Sequence, residues 1–201
     1  AGLLQFSPAP DANGTAYASF SFQVQDSGGI ASGGSDLDPS PNTLTLNVSP
    51  VNDVQVLALN TGVSVNEGAQ HLLTAAMLST TDVDNAPSQL VYTLTSLASH
   101  GTLRLDGIEL GLNASFTQAD IDDERLTYSH DSSENFSDSF GFSVDDGAGT
   151  PSTGSFAITV TALNDNAPLI SSAASLSVAE NSTAVGTVTA SDADLPAVPL
   201  Q

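Results

Sequence analysis

The sequence predicts an all-β protein of tandem immunoglobulin-like β-sandwiches, one complete repeat flanked by two partial ones. Three observations predict it. The pair Asn52-Asp53 recurs as Asn164-Asp165, 112 residues later, each time after one strand-like run and before another. Apolar and polar residues alternate over much of the chain, the period of half-buried strands. Gly, Ser, Asn, Asp and Pro collect between the alternating runs, where turns need them. The repeat divides the 201 residues into a tail fragment at 1–53, a full unit at 54–165 and a head fragment at 166–201. The full unit is long enough to bury a core of its own.

In residues 1–53, "YASFSFQVQD" sets Phe20, Phe22 and Val24 on one face and Ser19, Ser21 and Gln23 on the other. "NTLTLNV" alternates likewise through Leu44, Leu46 and Val48, after a long Gly/Ser/Asp/Pro loop. The two read as the closing hairpin of a sandwich. In the full unit, strands are predicted at about 62–66, 70–78, 89–95, 102–105 and 125–129, from alternation bounded by turn residues. The last hairpin follows: "DSFGFSVDD" turns Phe140, Phe142 and Val144 inward, and "GSFAITVTAL" turns Phe156, Ile158 and Val160 inward. One short helix is predicted at about 118–123, with Thr117 as cap, Asp120 as its capping-box partner, and Phe116 and Ile121 as a hydrophobic staple. In 166–201, "SLSVAEN" and "AVGTVTASDAD" read as the first two strands of another sandwich.

Composition narrows the function. Asp and Glu number 23 against two basic residues, Arg104 and Arg125, for a formal net charge of −21. That excludes nucleic acid and anionic membrane surfaces as partners, since both need clustered Lys or Arg. Carboxylates at this density repel unless neutralised, by calcium or by high salt; solubility alone is the other account of the acidity. With 40% hydrophobic residues the chain has the material for a core. Without cysteine it has neither a disulfide framework nor thiolate metal sites. No apolar run approaches the roughly 18 residues of a membrane span, so no membrane insertion is expected. Because the sequence opens mid-repeat, any export signal is expected outside it. The two arginines are expected to pair with nearby acids such as Asp106 or Asp123.

The stretch "LNDNAP", then "VAEN", then "VGTVTASDAD" resembles the junction and opening of a cadherin repeat. The middle unit, with "HGTLRL", "FTQADID" and "LTYSHD", resembles cadherin-like repeats of the chondroitin-sulfate-proteoglycan type. Residues 1–53 are similar to the closing half of repeats from large bacterial surface adhesins. The middle unit has no "LDRE"-like segment of true cadherins. The resemblance implies cadherin-like sandwiches, an extracellular or cell-surface location, and calcium as the cofactor at inter-repeat junctions.

Sandwich topology divides the acids between two ends. At the first junction stand Asn52, Asp53, Asp82, Asp84, Asp145 and Asp146, with Asp11 and Asn13 as possible additions. At the second stand Glu67, Asn164, Asp165, Asn166, Asp192 and Asp194, with Asp131 and Glu134 as possible additions. Calcium takes about six to eight oxygens, more than one loop supplies without strain. By the resemblance, the linker acids, the Asp-X-Asp pairs and the early Glu are the expected ligands. Asn, Asp and Gly are also ordinary turn formers, so loop chemistry alone would gather them too. Asp36 and Asp38 read as half of a further site.

An enzyme is not expected. His71, His100 and His130 fall on a strand, in a turn and at a strand end, and no Ser lies in a nucleophile-elbow pattern. The functional expectation is a structural or adhesive repeat segment of a secreted or cell-surface bacterial protein, stiffened by calcium. Its expected partners are neighbouring repeats and further copies of the chain, head to tail in a fibre. The alternative is a glycan- or protein-binding module using a face of the middle sandwich.

Overall fold

Period-2 alternation becomes pairing wherever a complementary run is available. In the computed structural model, which describes residues 3–196, the chain forms two compact units, Ala1–Asp53 and Val54–Gln201. Residues 1–2 and 197–201 of the expected outer fragments lie outside the described residues.

The first unit is an antiparallel ribbon of β1 (Gly14–Phe22) and β2 (Asn42–Val48), with Phe20 opposite Leu44. The alternation is as expected, but a two-stranded ribbon cannot enclose its own apolar face. Phe20 and Phe22 stay 38% and 43% exposed.

The second unit holds the sandwich. Its strands are β3 (Val56–Asn60), β4 (Val63–Asn66), β5 (Gln70–Leu72), β6 (Leu78–Thr81), β7 (Val91–Ser96), β8 (Gly101–Leu105), β9 (Ile108–Glu109), β10 (Ser115–Thr117), β11 (Leu126–His130), β12 (Ser137–Asp145) and β13 (Ser152–Thr161). One sheet has the order β10-β7-β12-β13-β4 and the other β5-β11-β8-β9, while β3 and β6 form a separate ribbon. All pairings are antiparallel except β4 with β13, where Val65 lies beside Val160. The residues expected to point inward from the last hairpin, Phe140, Phe142, Val144, Phe156, Ile158 and Val160, are buried. Phe140 stacks on Phe156 at 5.2 Å and Tyr92 on Phe116 at 5.0 Å. The Tyr92 hydroxyl is satisfied by Thr80 Oγ1 (2.6 Å) and donates to Gln118 Oε1 (2.9 Å). Burial, only partly opposed by the Thr80 bond, pushes its pKa up to about 12.

The structure departs from the expected strands in three places. The run at 70–78 is two strands, because β5 pairs with β11 in the four-stranded sheet and β6 pairs with β3 in the ribbon. The chain changes partner through a turn in which Met77 and Leu78 N–H donate to Thr74 O. β3, β9 and β10 are too short, or too evenly apolar, to declare a period. Finally, "SLSVAEN" forms no strand; only β14 (Leu169–Ile170) and β15 (Ala190–Ser191) pair there. The matching segment of the full unit, β4, is held by β13, and residues 166–196 contain no counterpart of β13.

The helix α1 spans Gln118–Asp122, with Thr117 as N-cap. Asp120 N–H donates to Thr117 Oγ1 (3.2 Å), and Asp120 Oδ2 accepts from Thr117 N–H (2.7 Å), so the capping box is complete. Phe116 and Ile121 are both buried, as a staple requires. Thr117→Ala should lower stability by about 1 kcal/mol, within a range of roughly 0.5–2, read as a lower urea midpoint with unchanged slope. Arg125 pairs with Asp106, as expected, and with Asp120 rather than Asp123; Arg104 pairs with Glu109 at 3.8 Å. These pairs sit near the surface, where solvent screens them and each contributes little to stability.

Candidate metal centre

At the end of the sandwich where β4 and β13 finish, three loops converge. Glu67 follows β4, and the parallel pairing runs on through Glu67 N–H to Thr161 O (2.9 Å). Glu67 Oε2 in turn accepts from Leu163 N–H (3.1 Å), which ties the side chain to the linker after β13. Gly68 then turns the chain at φ +67°, and a Cβ there would meet Ser132 Oγ at 2.8 Å, so no other residue fits without strain. Glu134 comes from the loop between β11 and β12, and Asp165 from the linker.

One carboxylate oxygen from each of Glu67, Glu134 and Asp165 lies within 4.8 Å of the other two. Asp194 stands beside them, 2% exposed. Its Oδ1 accepts from Asp165 N–H (3.3 Å), Asn166 N–H (3.0 Å) and Asn166 Nδ2 (2.9 Å). The Asn166 amide also donates to Glu134 Oε1 (2.7 Å) and Asp165 Oδ1 (3.3 Å), so one neutral donor spans three carboxylates. Glu134 Oε2 accepts from Leu195 N–H (3.1 Å). Asp192 orients Asp194 by accepting its N–H at Oδ1 (3.1 Å). Two oxygens in this group, Glu67 Oε1 and Asp194 Oδ2, are buried with no hydrogen-bond partner. Orphaned carboxylate oxygens are costly unless something positive meets them. A hard cation that prefers oxygen ligands fits that demand, and calcium's tolerance of irregular geometry suits ligands from several loops.

The electrostatics are unequal within the group. Burial, with the charges of Glu67 and Asp194, holds the Glu134 carboxyl above its usual pKa. Burial would also raise Asp194, but the Asn166 and Asp165 donors outweigh it and hold the carboxyl below its usual range. The signs give a pH prediction for chelator-treated protein. Glu134, raised on folding, disfavours the folded state once charged, so melting temperature should rise as pH falls from 7 through its elevated pKa. Asp194, depressed on folding, contributes stability that is lost only below the ordinary aspartate range, so the melting temperature should then fall. A monotonic fall from pH 7 in a thermal-shift series would contradict this.

Of the residues expected at this end, Glu67, Asp165, Asn166, Asp192 and Asp194 are brought together. Asn164 lies exposed in the same linker and makes none of these bonds. Asp131 Oδ1 is occupied by Ser133 N–H (2.9 Å) and Oγ (2.6 Å) within its own turn, whereas Glu134, three residues on, enters the cluster.

At the opposite end of the sandwich, Asp82 Oδ1 accepts from Asp84 N–H (2.7 Å) and Asn85 N–H (2.9 Å), the same turn that Asp192 and Asp194 make. Asn85 Nδ2 reaches Asp146 O (3.1 Å), and Asp146 Oδ1 accepts from Ala148 N–H (2.7 Å). Asp145 Oδ1 accepts from Gly147 N–H (2.9 Å). Asp82 Oδ2 and Gln55 Oε1 are buried without a hydrogen-bond partner. Among the described residues, the group of three acids at ligand distance is that of Glu67, Glu134 and Asp165. Asn85 and Gln55 were not singled out in the sequence; "TDVDN" contains Asn85, but only tertiary structure aims its amide at Asp146. Asn52 and Asp53 close the first unit, where Asn52 Nδ2 donates to Asp53 O (2.6 Å).

Residues 56–160 match the family described as Cadherin-like, more than half of the chain. The chain is 33% identical over 132 residues to human (Homo sapiens) FRAS1-related extracellular matrix protein 2, covering 66% of this chain. It is 38% identical over 96 residues, 47% of this chain, to human chondroitin sulfate proteoglycan 4. In each case it spans only 4% of the relative's length. Among solved structures, PcdhgB3 EC1-4 matches with a TM-score of 0.53 at 19% identity, over 94% of this chain and 49% of that one. The two relatives carry the names of a matrix protein and a proteoglycan rather than of enzymes. No helix among the described residues is long and apolar enough to cross a membrane.

Proposed function

Since the chain belongs to the Cadherin-like family, we propose that it is a structural and adhesive repeat segment of an extracellular protein, with calcium joining consecutive sandwiches. The observation that carries this is the meeting of Glu67, Glu134 and Asp165 oxygens within 4.8 Å, next to the orphaned buried oxygens of Glu67 and Asp194. Glu67 and Glu134 belong to the middle sandwich, Asp165 and Asn166 to the linker, and Asp192 and Asp194 to the segment after it. A cation there would be held by Glu67, Glu134, Asp165 and Asp194, with Asn166 and Asp192 fixing their orientation. It would supply positive charge where three protein segments otherwise repel.

The three-part division at 53/54 and 165/166 belongs to the same proposal. The partners proposed are neighbouring repeats and further copies of the chain, head to tail. The bacterial adhesin setting rests on residues 1–53 alone, as the relatives compared are animal proteins.

Small-angle X-ray scattering of the whole chain in millimolar calcium and then in chelator tests the reading. The expected result is a larger maximum dimension and a higher melting temperature with calcium. Identical profiles and melting temperatures in the two buffers would refute it.

A further inference from the structure

We infer that His130 is the positioning residue of the carboxylate centre: one imidazole nitrogen clamps the turn behind Glu67 to the loop that carries Glu134. This rests on the cation reading above and adds a residue that contributes no ligand. His130 ends β11 and is 6% exposed. Its Nδ1 accepts two backbone bonds, from Gly68 N–H at 3.1 Å and from Ser132 N–H at 3.2 Å. Gly68 directly follows Glu67, and Ser132 opens the loop that delivers Glu134 two residues later.

A nitrogen that receives two N–H bonds acts as an acceptor and carries no proton. Nε2, on the other side of the ring, lies 3.0 Å from Asn135 Nδ2. The imidazole therefore touches the residue after Glu67 and the residue after Glu134. His130 N–H adds a bond to Ala69 O (3.0 Å), fastening the same turn again. Two carboxylates of like charge do not stay at ligand distance unaided. Their backbones must be tied to a common post, and this ring binds both segments at once. Groups that hold ligands in place commonly govern metal affinity by about 10–100-fold.

The test compares the full chain with His130→Leu and His130→Asn. Asn places Oδ1 the same number of bonds from Cα as Nδ1, so it keeps an acceptor; Leu fills space without one. Calcium affinity is read by calorimetry, and the Gly68 and Ser132 amides by ¹H–¹⁵N spectra in chelator. Leu should weaken calcium binding by about 10–100-fold and move both amide protons upfield, while Asn should restore most of the affinity and both shifts. A role in packing alone predicts the reverse order or equal loss, because Leu is the better filler; either result overturns the inference. If the Leu variant does not fold, His130→Gln, with its acceptor one bond too far out, takes its place with the same expectations. Wild-type calcium binding with unchanged affinity in the variants would overturn the positioning role alone. No calcium binding by wild type would overturn the cation reading, and the positioning role with it.

Discussion

Glu134→Gln should move stability in opposite directions with and without calcium, and Asp194→Asn should not. In chelator, the Glu134 charge is disfavoured by burial and by Glu67 and Asp194. Removing it relieves repulsion, and the melting temperature of the variant should exceed that of wild type. In calcium, the same variant loses a charged ligand, so affinity should fall by on the order of tenfold, and the order of melting temperatures should invert. Asp194 differs because its charge is favoured by the Asn166 and Asp165 donors. Asp194→Asn should lower the melting temperature in both buffers and weaken calcium binding as well. Paired thermal melts with calorimetry decide the matter. A Glu134 variant that is less stable than wild type in chelator would show that the cluster is not under repulsive strain.

The second large effect lies in the core. Phe142 is fully buried between Tyr92 (ring centroids 5.4 Å) and Phe140 (6.3 Å). Phe142→Ala should cost about 3–5 kcal/mol, a large share of the roughly 5–15 kcal/mol that holds a domain folded. Directly across the sheet from Phe142 is Gly154. A Cβ on Gly154 would stand 2.6 Å from Phe142 Cζ, so the ring occupies the space a side chain would take. Gly154→Ala alone should therefore cost about 1–3 kcal/mol through overpacking. In the Phe142→Ala background that clash is gone, and the added methyl should cost much less. A double-mutant cycle by urea denaturation reads the coupling. Strict additivity would mean that the strands separate freely and that the ring does not depend on the glycine.

Much of the fold was legible because strands announce themselves locally. Phe140, Phe142 and Val144, and Phe156, Ile158 and Val160, alternate with polar neighbours, and all six are buried. The α1 cap was legible for the same reason, since Thr117 and Asp120 satisfy each other within three residues. Pairing partners were not legible in this way. The run 70–78 reads as one strand until two different neighbours divide it, and "SLSVAEN" reads as a strand although no partner strand for it is described. In the candidate centre, the loop acids Glu67, Asp165 and Asp194 could be singled out by type and repeat position. The choice of Glu134 over Asp131 could not, because both sit in one polar loop and differ only in which way the loop turns.

By itself, the sequence determined the all-β class, the inward face of the closing hairpin and the acidity of the chain. Each of these is written in spacings of two to four residues or in bulk composition. Tertiary structure alone decided which carboxylates meet, that Asn166 bridges three of them, and that His130 binds the two segments behind them. Those distances are set by β4 lying parallel to β13 and by β11 leading into the loop of Glu134. That parallel pairing joins residues 95 positions apart, and no local pattern carries that information.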